Sequence, residues 1–153
     1  MIARSGKNSV LTCSDMCNAY KCLPVCMKQR RLQVFSFLGR EFCDLRLIFE
    51  DRAACMMFDK FHFCVLANFV LNKVSFPLNW IGRTIDDVTS VSPAGARSRA
   101  EGFETAYRHT LQSLNIGCAP NDPSRLKAFT CSTSGELLGV WFDTEKFTFQ
   151  EES

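Results

Sequence analysis

The feature that most restricts the fold is a pair of adjacent acids flanked on both sides by β-prone residues. Asp86 and Asp87 lie between residues 81–85 and residues 88–91, which are rich in Ile, Thr and Val. Such runs predict two strands joined by a tight turn. Like charges at a turn repel each other unless a cation compensates them. The stretch therefore indicates either an ordinary solvated Asp-Asp turn, which is the usual case for an isolated pair, or a divalent-metal site.

The composition is that of one globular domain. The chain has 153 residues, of which 46% are hydrophobic and 22% charged. This apolar content is sufficient for a buried core and is not typical of a disordered chain. We expect residues 1–153 to form a single domain.

Charge is distributed unevenly along the chain. Residues 1–50 contain eight Lys or Arg and four acids, whereas the remainder contains ten and twelve, although the net charge is only +2. The basic cluster Lys28, Arg30 and Arg31 lies in the first part. Such a segment can bind a polyanion, and a solvated loop is the alternative.

The cysteines and the apolar runs restrict the environment of the protein. The nine cysteines are odd in number and contain no Cys-x-x-Cys pair, so we expect reduced thiols in an intracellular protein, nuclear or cytoplasmic. The N-terminus lacks the apolar core of a signal peptide, and residues 61–71 are too short and interrupted to span a bilayer, which predicts no membrane association. His62 and His109 fit no catalytic arrangement.

Hydrophobic periodicity predicts strands joined by hairpins, together with two helices. The predicted strands cover residues 10–14, 32–37, 42–48, 81–85, 88–91, 126–131, 137–142 and 146–149, and the predicted helices cover 51–72 and 98–114. The first helix is apolar on nearly every side, which predicts burial on several sides. We expect an α+β fold, in which an antiparallel sheet carries two long helices on one face.

A third acid, Asp15, lies at the end of the first predicted strand. If that strand neighbours the Asp86-Asp87 hairpin in an antiparallel sheet, three carboxylates meet at one edge. Hard oxygen ligands suit Mg²⁺, which binds one or two protein carboxylates together with substrate phosphates. Two such ions support nucleotidyl transfer by in-line displacement.

The motifs of the chain, taken in sequence order, resemble those of the palm subdomain of reverse transcriptases, particularly those of retrotransposons. The motifs that carry the resemblance are SDMCNAYKCLPV at 14–25, LIFEDRAACMMF at 47–58, TIDD at 84–87, residues 114–127 and the primer-grip-like LLGVWFD at 137–143. The resemblance covers roughly residues 10–149 and implies a polymerase-palm-like fold.

The resemblance also implies roles for individual residues. Asp15, Asp86 and Asp87 would be catalytic ligands of two Mg²⁺ or Mn²⁺ ions. Tyr20 would exclude a ribose 2′-hydroxyl, Lys127 would lie near the departing pyrophosphate, and Phe49 would contact the substrate. The primer grip would comprise Leu138, Gly139 and Val140. The implied partners are an RNA or DNA template with its primer and dNTPs.

Two departures from the family pattern leave an alternative open. Glu50 stands where the family usually has Gly, and a carboxylate there would repel a phosphate strand. Little sequence precedes the first motif or follows the last, which predicts a palm fragment whose fingers are largely absent and whose thumb is absent, with a larger polyprotein supplying them. The alternative is a catalytically inactive, truncated retroelement remnant or a weak nucleic-acid-binding module.

Overall fold

The computed structural model describes residues 2–48, 53–74 and 80–151. The helices in this part of the chain are α1 (Ile2–Ser5), α2 (Ala54–Val65) and α3 (Arg97–Ser113). The strands are β1 (Val10–Asp15), β2 (Val34–Phe37), β3 (Arg40–Cys43), β4 (Trp80–Thr84), β5 (Asp87–Ser92), β6 (Phe129–Ser132), β7 (Ser134–Leu137), β8 (Val140–Asp143) and β9 (Thr148–Glu151). A π-helical turn (Leu66–Val70) and a 3₁₀ turn (Leu71–Lys73) continue α2, and further 3₁₀ turns cover Ala19–Cys22 and Arg30–Leu32.

The strands form one central sheet and two smaller units. The central sheet has the order β4-β5-β1-β6, and each neighbouring pair is antiparallel. Strands β7, β8 and β9 form a second antiparallel sheet, and β2 and β3 form a separate hairpin. The predicted α+β class is therefore confirmed.

The two faces of the central sheet pack against different layers. Because side chains alternate along a strand, Leu11 and Cys13 of β1 lie on one face, where they share a buried cluster with Leu137 of β7. On the opposite face, Ser14 donates a hydrogen bond to Glu104 of α3. The sheet is thus enclosed between the helices and the β7-β8-β9 sheet.

Both long helices belong to the helical side of this sandwich. Val88, which is paired with Ser14 and shares its face, lies in one core cluster with Phe58 of α2 and Phe103 of α3. Helix α3 buries a stripe of Phe103, Tyr107 and Leu111, whereas Leu114 follows the helix end and is exposed.

Helix α2 buries only one stripe, so the prediction that it is covered on several sides was wrong. Phe58, His62 and Val65 are buried, while Met56 and Phe63 are more than half exposed. The reason is that the described chain packs on one side of this helix, against α3 and the Ala19–Cys22 turn. The opposite side faces outward and keeps its apolar side chains.

The hairpin turns differ from the predicted positions. The turn between β4 and β5 is Ile85 and Asp86, so Asp87 is already a strand residue paired with Thr84. Residues 137–142 do not form one arm, because Leu138 and Gly139 are a turn between β7 and β8, both with positive φ. Strand β7 was not predicted. Leu38 and Gly39 likewise form the turn of the β2–β3 hairpin.

One helical segment meets the length and composition criteria for a membrane span. Residues Ala54–Lys73 form 20 continuous helical residues with a mean hydropathy of 1.4. Core helices of soluble proteins meet the same criteria, so this single segment is weak evidence for a span.

Some predictions concern residues outside the described ranges. They are the substrate contact Phe49, the Glu50 departure and the helix start at Asp51.

Candidate functional site

The register of the central sheet brings the three predicted acids together. Asp15 ends β1 and Asp87 begins β5, and the two are directly paired across the antiparallel ladder. Opposed residues in such a ladder have Cα atoms about 5 Å apart. Asp86 precedes Asp87 in the turn, and its carbonyl accepts a hydrogen bond from the backbone of Met16 at 3.3 Å. The predicted adjacency of the two strands, β1 and β5, is therefore confirmed.

A buried histidine holds the turn that carries Asp86. His62 of α2 is fully buried, with Nδ1 2.5 Å from the carbonyl oxygen of Ile85 and Nε2 2.9 Å from the hydroxyl of Tyr107. Because a carbonyl only accepts, Nδ1 must carry the proton, and Nε2 of the neutral ring then accepts from Tyr107. Burial lowers the pKa of His62, which favours this neutral form.

The same histidine bond stabilises an unusual backbone conformation. Ile85 has φ 47°, in the left-handed region. A β-branched residue there is strained, and such strain persists only where surrounding contacts impose it. The His62 bond to the Ile85 carbonyl is one such contact, and it fixes the residue directly before Asp86.

A second polar network supports the end of β1. Glu104 is buried, accepts a hydrogen bond from the hydroxyl of Ser14, and forms an ion pair with Arg108 one turn along α3. Arg108 also donates to the carbonyl of Ala119 at 3.0 Å, and the Ala119 amide donates to the carbonyl of Asp15 at 2.9 Å. The backbone of Asp15 is therefore anchored to α3 through two routes.

A cavity of about 210 Å³ opens at this edge of the sheet. It is lined by Cys13, Asp15, Asp86, Asp87, Leu126, Lys127, Glu136, Leu138 and Gly139. The cavity thus combines the three acids with the predicted pyrophosphate residue and two of the three predicted primer-grip residues. Val140, the third, is the first residue of β8 and is not part of the lining.

A neighbouring cavity contains the predicted sugar gate. Its volume is about 340 Å³, and its lining includes Tyr20 together with Asp15 and Asp86. Tyr20 is 6% exposed, its hydroxyl lies 3.0 Å from the Cys55 sulfur, and its ring packs against Phe58 at 5.3 Å between centroids. These contacts hold the ring at the wall shared with the two acids.

The carboxylates repel one another in this setting. Burial raises the pKa of Asp87 to about 6, and the charges of Asp86 and Asp15 add to the effect, while Lys127 opposes it. Burial and Asp86 also raise the pKa of Asp15, against Lys127. Burial raises the pKa of the Cys13 thiol to about 12, and the charges of Asp87 and Asp15 add to the effect. Within residues 2–48, 53–74 and 80–151, no ion pair reaches any of the three acids.

The donor set fits a hard divalent cation. In the part of the chain that the structure describes, no three His, Cys, Asp or Glu side chains converge closely enough to hold a metal ion by themselves. Mg²⁺ does not need such a cage, because it keeps several waters and uses one or two carboxylates together with substrate phosphates. Asp15 and Asp87, opposed across the ladder, supply that number, and Asp86 adds a further oxygen donor.

Sequence reasoning missed several residues of the site. Cys13 could have been identified from the sequence, because strand alternation places it on the same face of the sheet as Asp15. Glu136 was missed because it lies in the unpredicted β7. His62 was assigned no role, although a lone histidine within an apolar helical stripe is a candidate for a buried, hydrogen-bonded side chain.

The fold that encloses this site resembles a region of known reverse transcriptases. The particular matches are solved structures of foamy virus protease-reverse transcriptase. The native prototype foamy virus protein has a TM-score of 0.65 at 15% identity, over 99% of this chain and 17% of that chain. A foamy viral dRH form in complex with double-stranded DNA gives a TM-score of 0.69 at 12% identity, with coverages of 92% and 22%. A complex with RNA/DNA hybrid gives 0.64 at 13% identity, with coverages of 88% and 16%.

These similarities establish the fold alone. The chain spans about a fifth of the length of the foamy viral proteins it matches. No protein-family model and no curated protein matches the chain.

Proposed function

We propose that the chain is the palm of a retrotransposon-type RNA-directed DNA polymerase. The observation that carries the proposal is the direct pairing of Asp15 with Asp87, next to Asp86. These acids line a cavity together with Lys127 and the β7–β8 turn. Opposed like charges destabilise a strand pair. The described residues form no ion pair with these acids, and Lys127 is the cation in the cavity lining, so two of the three negative charges are available for a cation from solution.

Asp15, Asp86 and Asp87 would hold two Mg²⁺ or Mn²⁺ ions. When bound, the ions supply charge neutralisation and activation of the attacking primer hydroxyl. Lys127 provides the protein's own positive charge in the cavity, where it attracts the phosphates of a dNTP and the departing pyrophosphate.

The remaining residues position the substrates. Tyr20 forms part of the wall beside Asp15 and Asp86, where a bulky ring excludes a 2′-hydroxyl and selects deoxynucleotides. Leu138 and Gly139 form the turn that borders the cavity from the second sheet, where the primer terminus would be held. The template with its primer is RNA or DNA, and a larger polyprotein supplies fingers and thumb.

Primer extension tests the proposal. The purified chain is incubated with a primed RNA template, dNTPs and Mg²⁺ or Mn²⁺, and product length is measured. We expect extension to be abolished in Asp86→Asn and retained in Glu101→Gln, which neutralises an exposed acid on α3 outside the cavity. Extension that is unchanged in Asp86→Asn overturns the assignment.

Nucleotide binding provides a second measurement for the isolated chain. In equilibrium dialysis with Mn²⁺, we expect the wild type to retain a dNTP and Asp86→Asn to lose it. If neither extension nor metal-dependent dNTP binding occurs, the chain is the catalytically inactive remnant instead.

A further inference from the structure

The β2–β3 hairpin presents an uncovered aromatic face. Its four residue pairs are Val34–Cys43, Phe35–Phe42, Ser36–Glu41 and Phe37–Arg40, and every one of these residues is exposed. Strand alternation places Phe35, Phe37, Phe42 and Arg40 on one face and the more polar set on the other. The three phenylalanines are 53%, 61% and 44% exposed. An uncovered two-stranded hairpin is only marginally stable, so such a face indicates a binding partner.

The two rings of the aromatic pair lie nearly parallel to each other. Phe35 and Phe42 are opposite each other in the register, with ring centroids 5.7 Å apart and planes inclined by 22°. Both rings are also about half exposed, so part of each ring remains free to contact a base.

The segment that contains this face is strongly basic. Residues 21–46 contain six Lys or Arg and two acids, a net charge of +4, whereas the whole chain has +2. One of the acids, Asp44, is already paired with Lys21. The exposed residues Lys28, Arg31 and Arg40 form no ion pair with the described residues. The free charge of the segment is therefore positive, and one of its cations, Arg40, lies on the aromatic face itself.

We propose that this hairpin is a platform for unpaired bases of a single-stranded nucleic acid. Phenylalanine rings stack on any base, and neighbouring cations neutralise the phosphates that link the bases. A duplex does not meet this requirement, because its bases are already stacked on each other. A protein partner would account for the apolar rings but not for the unpaired cations. The platform lies outside the carboxylate cavities and requires no metal, so it goes beyond the proposed polymerase chemistry.

Fluorescence anisotropy with labelled oligothymidylate in EDTA tests the platform. We expect the double variant Phe35→Leu/Phe42→Leu to weaken binding at least about fivefold, because each ring that is removed can no longer stack on a base. Leucine keeps the surface apolar while removing the π face. Phe69→Leu is the matched control, since Phe69 is also half exposed but lies on the helical side of the molecule. Its affinity should equal that of the wild type.

A charge variant tests the same site without altering the rings. Arg40→Gln should make the slope of log affinity against log salt concentration less steep by about 0.7, the value for one phosphate contact on a single strand. Circular dichroism and thermal unfolding confirm that each variant is folded.

Three results would overturn the platform. They are equal affinity in the Phe35→Leu/Phe42→Leu variant and the wild type, binding of duplex DNA as tight as that of oligothymidylate, and a hairpin variant that loses self-association in sedimentation while keeping oligothymidylate binding. The use of EDTA separates this inference from the proposed function, because oligothymidylate binding to the hairpin requires no metal and should persist even if the polymerase assignment fails.

Discussion

Asp15 and Asp87 are opposed residues of two adjacent antiparallel strands, and neither forms an ion pair within the described part of the chain. In the absence of metal this arrangement costs stability, because each carboxylate disfavours the ionised form of the other. The cost is a direct consequence of the geometry and is measurable without any catalytic assay.

We expect Asp87→Asn to stabilise the metal-free protein. The pKa of Asp87 is raised to about 6 in the folded state from an ordinary value of 3.8, so the native state binds this proton more tightly than the unfolded chain. This contribution to the free energy of unfolding is fully present below the ordinary pKa of 3.8 and is lost as the pH rises through the folded-state pKa of about 6. Because the side chain is partly exposed, we expect a gain of about 1 kcal/mol at neutral pH, measured by urea unfolding.

The control for this prediction is Glu101→Gln. It removes a carboxylate from an exposed ion pair with Arg97 and should change the unfolding free energy by less than about 0.5 kcal/mol. A loss of stability in Asp87→Asn at neutral pH, without metal, would mean that the two acids do not repel each other.

His62 should give a pH dependence of opposite sign. Burial lowers its pKa below the ordinary 6.5, so the unfolded state takes up the proton first. The stability from the neutral ring is present above that value and is lost as the pH falls through the folded pKa. Urea unfolding of the Asp87→Asn protein, in which the opposing contribution of Asp87 is removed, should show stability decreasing as the medium becomes acidic, and adding His62→Met should make this decrease smaller.

The contacts of His62 should be energetically coupled. His62→Met leaves the Ile85 carbonyl and the Tyr107 hydroxyl without their partner and should cost about 2–3 kcal/mol, whereas Tyr107→Phe should cost about 1–2 kcal/mol. Because the two residues share a hydrogen bond, the double variant should lose less than the sum of the two. Strict additivity of the unfolding free energies would show that the bond contributes nothing.

The Glu104–Arg108 pair should stabilise the end of β1. Arg108→Met leaves a buried carboxylate without its cation and should cost about 3 kcal/mol in urea unfolding. The matched double variant, with Glu104→Gln added, should recover part of this loss. A cost below about 1 kcal/mol for Arg108→Met would instead be that of an exposed surface pair.

The convergence of the acids was predictable because it follows from short-range patterns. The β-prone runs end at Asp15 and flank Asp86 and Asp87, and antiparallel pairing then brings the strand ends to one edge. The position of the turn was not predictable in the same way. Ile85 adopts a positive φ that its side chain disfavours, and its carbonyl is held by His62, a residue distant in sequence.

Tertiary packing also explains the other differences. Strand β7 contains Gly135 and Glu136 and has no clear alternation in sequence. It pairs with β8, and Gly135 leaves room for the ring of Phe129, which lies in β6. Helix α2 has an apolar sequence on nearly all sides, yet periodicity alone does not reveal which of those sides the rest of the chain covers.

Titration with Mn²⁺, followed by electron paramagnetic resonance of the free ion, tests the central claim most directly. We expect the wild type to bind Mn²⁺ competitively with Mg²⁺, and Asp15→Asn and Asp86→Asn each to weaken binding by at least about tenfold, with Glu101→Gln unchanged. Equal Mn²⁺ affinity in the wild type and both aspartate variants would contradict the assignment of these carboxylates as a metal site.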